Sequence, residues 1–141
     1  TILDITRKAG VSRMTFYKYY HSKEQVVESY LQEIISGYVE KFSDNFSGDF
    51  PNFENTLAAL DYFDNYSDFF LELTHAGLYN LLIDAVNHYM EEIIVPRYNV
   101  SPYKIYYYAG ALLNIFIKWE ESEKNINAET IAETIASIKL N

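Results

Sequence analysis

Positive charge is concentrated in the first 24 residues, where the side chains have the types and spacing needed to contact a polyanion. This segment holds five Lys and Arg residues against two acidic ones, whereas the rest of the chain holds six against eighteen. The formal net charge of the whole chain is −9. Cationic side chains neutralise phosphates, and an acidic body is repelled by the same polymer. This distribution predicts a nucleic-acid-binding head joined to a body that stays clear of the nucleic acid.

Two of these cations stand at the predicted starts of helices. Arg13 follows Ser12, a capping residue, and Lys23 follows Ser22, which forms an S-x-x-Q capping box with Gln25. The helix dipole disfavours a cation there by about 0.3–1 kcal/mol. Helix N-termini also bind phosphate, however, and a nearby base strengthens such a site. The placement therefore makes sense if a DNA backbone crosses both helix starts.

The elements that position these cations are two short helices. One is predicted over residues 2–9 and ends at Gly10, and the second runs from Arg13 to about Tyr19. Two short helices joined by the turn AGVS predict a helix-turn-helix. An ordinary helical corner is the alternative, and the charge placement favours the DNA-binding interpretation.

The segment ITRKAGVSRMTFYKYYHSKEQVV resembles the DNA-binding signature of the tetracycline-repressor (TetR) family of bacterial transcription regulators. The resemblance implies that Arg13, Met14 and Thr15 approach base edges in the major groove of double-stranded operator DNA. It also implies phosphate contacts for Tyr17, Lys18, His21 and Lys23. The family normally has one more helix before this pair, so we expect the sequence, which opens at Thr1, to lack that first helix.

The remaining sequence predicts an all-α chain, with no period-2 strand pattern. Residues 1–24 form the head, a long helix over about 23–46 joins it to the body, and 47–141 form a regulatory and dimerisation bundle. Further helices are predicted over about 53–65, 67–76 capped by Ser67, 78–95 closed by Pro96, Pro102 to about Glu123, and Asn127 to about Leu140.

The helix from Tyr103 to Trp119 is apolar almost all round, which requires burial on every side. In so small a body, a second subunit is the simplest cover for one of those sides, although part of the stripe must be core. This region also resembles the C-terminal domains of family members from low-GC Gram-positive bacteria, and the resemblance implies a homodimer formed by the last two helices. The predicted interface residues are Tyr103, Tyr107, Gly110, Leu113, Ile117, Ile131, Ile135 and Ile138.

A small-molecule effector is the other partner that the family resemblance implies. Polar groups among apolar neighbours suggest ligand contacts, and aromatic walls beside acids suit a flat cationic compound. The alternative is that these tyrosines fill the bundle with their hydroxyls at its surface. The candidates are Tyr62, Tyr66, His75, Tyr89, Tyr106, Tyr107 and Asn114.

The sequence does not suggest an enzyme or a cofactor-binding protein. It has no cysteine and no GxxxxGK, HExxH or GxSxG motif. His88 with Glu91 or Glu92 has helical spacing for two metal ligands, but the sequence indicates no third, so an exposed pair is expected. No apolar run reaches the ~18 residues that span a bilayer, and we expect a cytoplasmic protein.

Two regulatory schemes remain open. A repressor released by its own ligand would contain an interior cavity. A DNA-binding co-activator controlled by a protein partner would instead have a packed interior and an exposed apolar patch away from the dimer interface.

Replacing Lys23 with alanine is expected to weaken binding to all DNA sequences and to lower the salt slope by about one phosphate's share. Replacing Met14 or Thr15 should instead change which sequence is preferred. Affinity measured against salt concentration checks both expectations, and an unchanged affinity and slope for Lys23→Ala would contradict the phosphate assignment.

Overall fold

The computed structural model describes residues 23–42 and 52–138, and within these two ranges the chain is all-α, without strands. The elements are α1 (Lys23–Phe42), α2 (Phe53–Asp64), α3 (Ser67–His75), α4 (Tyr79–Tyr89), a π-helical turn (Met90–Ile94), α5 (Val95–Tyr98), α6 (Pro102–Glu121) and α7 (Ala128–Ala136). The all-α class is therefore confirmed.

Side-chain caps start three of these helices. Asn52 accepts a hydrogen bond from the Asn55 amide at 2.8 Å, and Asn127 accepts one from the Thr130 amide at 2.8 Å. Ser101 accepts from the Tyr103 amide at 3.3 Å, with Pro102 at the first helical position. Each bond satisfies an amide that has no partner inside its helix. The predicted caps of α6 and α7 are thus confirmed.

The predicted cap of α3 is wrong. Ser67 is the first residue of α3, and the preceding residue, Tyr66, occupies the cap position without a side-chain hydrogen bond. The Ser67 hydroxyl donates instead to Glu120 at 2.9 Å. A tertiary partner has therefore replaced the local backbone partner of this serine.

The prediction that Pro96 ends its helix is also wrong. The Val95 amide bonds to the Met90 carbonyl, five residues back, and the chain then continues as α5 to Asn99, which has a φ of 50°. Since the π-helical turn starts the α-helical pattern afresh, Pro96 lies near the beginning of α5. There a proline needs no amide hydrogen, so it does not break the helix.

The core is built around α1. Its buried face packs against α4 and α2, while α6 packs against α3 and α4. Full burial of one aliphatic side chain stabilises the fold by about 1.5–3 kcal/mol. The last helix, α7, packs mainly against α2, and the Trp119 indole donates to the Ile126 carbonyl at 2.8 Å in the preceding loop. The buried residues of α1 are Val26, Val27, Leu31, Ile34, Ile35, Tyr38 and Val39.

A glycine permits one close approach between α1 and α2. The Tyr62 hydroxyl donates to the Ile34 carbonyl at 2.9 Å and passes directly over Gly37. A Cβ atom at Gly37 would collide with that hydroxyl oxygen, whereas the nearest ring atom, Tyr62 Cζ, would be 3.6 Å away. The hydroxyl alone therefore requires glycine at this position.

The effect of Gly37→Ala on stability should change sign with the residue at position 62. In the wild type the collision is expected to cost about 1–3 kcal/mol. In a Tyr62→Phe background the same change should stabilise by up to about 1 kcal/mol, because alanine is the better helix former. Urea unfolding of the four proteins tests this, and equal effects in both backgrounds would contradict the proposed collision.

Candidate functional site

The predicted DNA contacts fall largely outside the described part of the chain. Lys23 is the first residue of α1, which agrees with its predicted place at the start of the long helix. Its side chain, and the residues before it, lie outside the described residues. All seven assigned DNA contacts therefore stay predictions. They are Arg13, Met14, Thr15, Tyr17, Lys18, His21 and Lys23.

The body contains a partly open apolar cavity of about 90 Å³ between α1, α2, α3, α4, the π-helical turn and α6. This is several times the ~10–15 Å³ that one water molecule requires. Its walls are aliphatic side chains and phenyl rings, and no lining residue among those described is charged. The cavity therefore suits a small neutral molecule and offers no counter-charge to a cation. The three phenylalanine rings in its wall are Phe63, Phe70 and Phe116.

Two tyrosines, Tyr38 and Tyr108, also line the cavity. The Tyr38 hydroxyl donates to the Asn55 carbonyl at 3.2 Å. Burial, together with the nearby Tyr108, raises the pKa of Tyr38 well above its ordinary value. Burial also raises the pKa of Tyr108 to about 12, with a smaller opposing effect of the Thr56 hydroxyl beside it. Both hydroxyls are therefore neutral around pH 7, and the surface that faces the cavity is almost wholly apolar.

None of the seven candidate ligand residues lines this cavity. The Tyr62 hydroxyl is bonded to α1, and burial raises its pKa to about 12. Tyr66 is half-buried with its ring centroid 5.6 Å from that of Tyr62, and Tyr89 is buried in the core. These three belong to the packing of the bundle.

The other four candidates lie on the exterior. His75 pairs with Glu121 at 3.6 Å, and the Tyr106 hydroxyl donates to Glu91 at 2.9 Å. Tyr107 and Asn114 are exposed on α6. The structure therefore does not bring the seven residues together into one site.

The sequence did hold a signal for the two tyrosines that were missed. Tyr38 falls in the paired apolar pattern of α1, and Tyr108 is the last of three consecutive tyrosines in α6. A tyrosine on the buried face of a helix usually needs a partner for its hydroxyl. That requirement indicates an interior polar point, although it does not show that a cavity adjoins it.

The predicted dimer residues divide into two groups. Leu113, Ile117, Ile131 and Ile135 are buried within the protomer's own core. On the outer face of α6, by contrast, Tyr103 is 79% exposed and Tyr107 is 52% exposed. Gly110 continues this face with open space at its Cβ position, and Ile138 is exposed beyond α7. A face of α6 is thus left uncovered by the described chain.

Within the described residues, no group of three or more His, Asp or Glu side chains could hold a metal ion. None of the described helices is both long enough and apolar enough to cross a membrane.

Comparison with known proteins bears on the N-terminal segment. Residues 1–30 match the family model described as "Bacterial regulatory proteins, tetR family". This match supports a DNA-binding transcriptional regulator of the TetR family with a helix-turn-helix. The resemblance of the head is confirmed, and the proposed type of C-terminal domain stays a prediction. Searches of curated proteins and of solved structures found no match.

The TetR-family segment and the cavity share one helix. The family match ends at residue 30, eight residues into α1, and the cavity wall begins at Leu31 on the same helix. Members of this family are regulators, which agrees with the expectation that the chain is not an enzyme.

The cavity should bind xenon in solution, because an apolar void of sufficient size accepts apolar atoms. Ala109 lines it, and Ala109→Leu would fill much of its volume. We expect a saturable ¹²⁹Xe chemical-shift change with the wild type that Ala109→Leu abolishes. Ala76→Leu, at an exposed position outside the cavity, is the matched control and should bind like the wild type. Equal xenon binding by all three proteins would contradict a ligand-accessible cavity.

Proposed function

We propose that this chain is a dimeric transcriptional repressor that binds a palindromic operator and is released by a small neutral effector bound in the cavity. The observation that carries the proposal is the continuity of α1 between the matched segment and the cavity wall. As a regulator of bacterial DNA it would act in the cytoplasm.

The same helix explains how an effector would act at a distance. Leu31, Ile35 and Tyr38 of α1 line the cavity. At a rise of 1.5 Å per residue, they lie about 12–22 Å along the helix from Lys23. A ligand that favours a different tilt of α1 would move the head at its far end. It would shift the equilibrium only by its difference in affinity for the two arrangements. Because paired recognition helices must enter grooves about 34 Å apart, a small tilt in each subunit suffices to weaken binding.

The exposed stripe on α6 is our candidate for the dimer interface. Tyr103, Tyr107, Gly110 and Asn114 follow helical spacing, and all four lie on the side that the protomer's own core leaves uncovered. Tyrosine supplies large contact area at low entropic cost, and glycine permits a close approach of a second helix. The buried isoleucines of α7 would support this face from within the protomer.

Tyr107→Glu should convert the dimer to a monomer, because it places a charge in the centre of this stripe. Operator affinity should then fall by about 10²-fold or more, since each subunit would bind its half-site alone. Asn80→Glu adds the same charge at an exposed position on α4 and should change neither property. Sedimentation velocity and operator titration measure the two effects. A Tyr107→Glu protein that stays dimeric would exclude this face as the interface.

The co-activator alternative has one observation in its favour. Ile93 on the π-helical turn is 41% exposed, and the exposed Tyr106 donates a hydrogen bond to Glu91 of the same turn, so an apolar surface outside the α6 stripe is available to a protein partner. The cavity favours an effector of the chain's own.

Selection from random genomic DNA at several salt concentrations separates the two functions. A steep salt slope with an enriched palindrome is expected for the dimeric repressor. Weak binding without an enriched sequence would favour DNA engagement only together with a partner.

A further inference from the structure

Four polar side chains join the C-terminal end of α6 to the corner between α2 and α3. Glu120 is only 6% exposed, and its Oε2 accepts a hydrogen bond from the Ser67 hydroxyl at 2.9 Å. On the outer side, Lys124 Nζ lies 2.9 Å from Asp64 Oδ1 and 3.1 Å from Oδ2. Asp64 and Glu120 therefore belong to one cluster, and a hydrogen bond between their carboxyl groups contributes to the pKa shift of each.

If both carboxyl groups were ionised, this cluster would lack one hydrogen-bond donor. Glu120 Oε1 is buried and receives no hydrogen bond from any donor in the described residues. An ionised carboxylate can only accept, so two facing carboxylates would repel each other and leave buried oxygens unsatisfied. One proton on Glu120 supplies the missing donor, and Asp64, paired with Lys124, is the acceptor.

We propose that a proton shared by Glu120 and Asp64 forms a pH-dependent latch, which holds the end of α6 against the α2–α3 corner and weakens when the proton is lost. Every group in the cluster is then satisfied. Ser67 donates to Glu120, Glu120 donates to Asp64, and Lys124 neutralises the one remaining negative charge.

The titration of the pair agrees with this geometry. Burial, and then the hydrogen bond with Asp64, raise the pKa of Glu120 to about 7. The hydrogen bond from Glu120, with the contribution of Lys124, lowers the pKa of Asp64 against the effect of burial. Since the folded state holds the Glu120 proton more tightly than the unfolded state does, its contribution to stability is complete below the ordinary glutamate pKa of about 4.3. That contribution is lost as pH rises from there to about 7.

The surrounding charges affect the ionisation of the Asp64–Glu120 pair in opposite directions. Asp61 on α2 lies near Asp64 and near Glu129 of α7, and this negative charge disfavours a second ionised carboxylate, whereas Lys124 favours one. The next residue along α6, Glu121, interacts with His75 on α3 and with Lys118 on its own helix. His75 is the other side chain here whose type can change charge between about pH 5 and 8, so it requires a control.

The latch adjoins the cavity. Phe63 precedes Asp64, Phe70 follows Ser67 by one turn, and Phe116 precedes Glu120 by one turn. All three rings line the cavity, and their centroids lie 5.3–6.4 Å apart. Loss of the proton would therefore loosen the aromatic end of the cavity. This link to effector binding rests on the proposed function, whereas the latch itself does not.

The test compares the unfolding free energy of the wild type and Glu120→Gln in urea between about pH 5 and 8. The wild-type folding constant should fall by up to about tenfold per pH unit up to about pH 7 and then level off. Glu120→Gln should lose this slope, because a glutamine amide stays neutral and can still donate to Asp64. Glu121→Gln and His75→Gln are the matched controls and should keep the slope.

Infrared spectroscopy provides a second measurement that does not depend on a variant folding. The wild type at about pH 6 should show the carbonyl stretch of a protonated carboxyl group, and this band should disappear as the pH rises past about 7. Absence of that band, or a pH slope that Glu120→Gln retains, would overturn the latch. Neither readout involves DNA or an effector, so failure of the latch is distinguishable from failure of the proposed regulatory function.

Discussion

The burial of one face of α1 is the constraint on which the rest of this structure depends. Val27 and Leu31 are completely inaccessible to solvent, and α4 and α2 pack along the same face. A helix held in this way over 20 residues is a rigid rod about 30 Å long. The same rod begins within the family-matched segment, so the body packs around the helix in which that segment ends.

The packing of aromatic rings accounts for the cavity inside this body. Phe63, Phe70 and Phe116 meet edge to face, which is a favourable geometry for aromatic pairs. A space of about 90 Å³ remains beside these rings, bounded almost wholly by apolar side chains. An apolar molecule placed there would leave water and contact these side chains, which is favourable. Under the proposed function, this gain would be the energetic basis on which a neutral effector binds.

Electrostatics separates the surface of the chain from its interior. The six basic and eighteen acidic residues after position 24 give the body a strong negative charge, which would repel DNA, whereas the first 24 residues carry a net positive charge. Inside, burial disfavours the ionised forms of titratable groups and raises the pKa values of Tyr38, Tyr108 and Glu120. The Glu120 pair differs from the two tyrosines because its proton is exchanged near neutral pH, where the hydroxyls remain protonated.

The sequence by itself determined the local structure and the family of the head. Capping residues such as Asn127 and the apolar pattern of α1 depend on neighbours within a few residues, and so does the signature around Arg13. The tertiary structure alone decided which element covers each apolar face. The sequence of α6 shows that this helix is apolar almost all round. Only its packing against α3 and α4 determines that Leu113 is buried and Tyr107 is exposed. The sequence could not predict the interaction of Glu120 with Asp64 for the same reason. These residues are 56 positions apart, and no local pattern relates them.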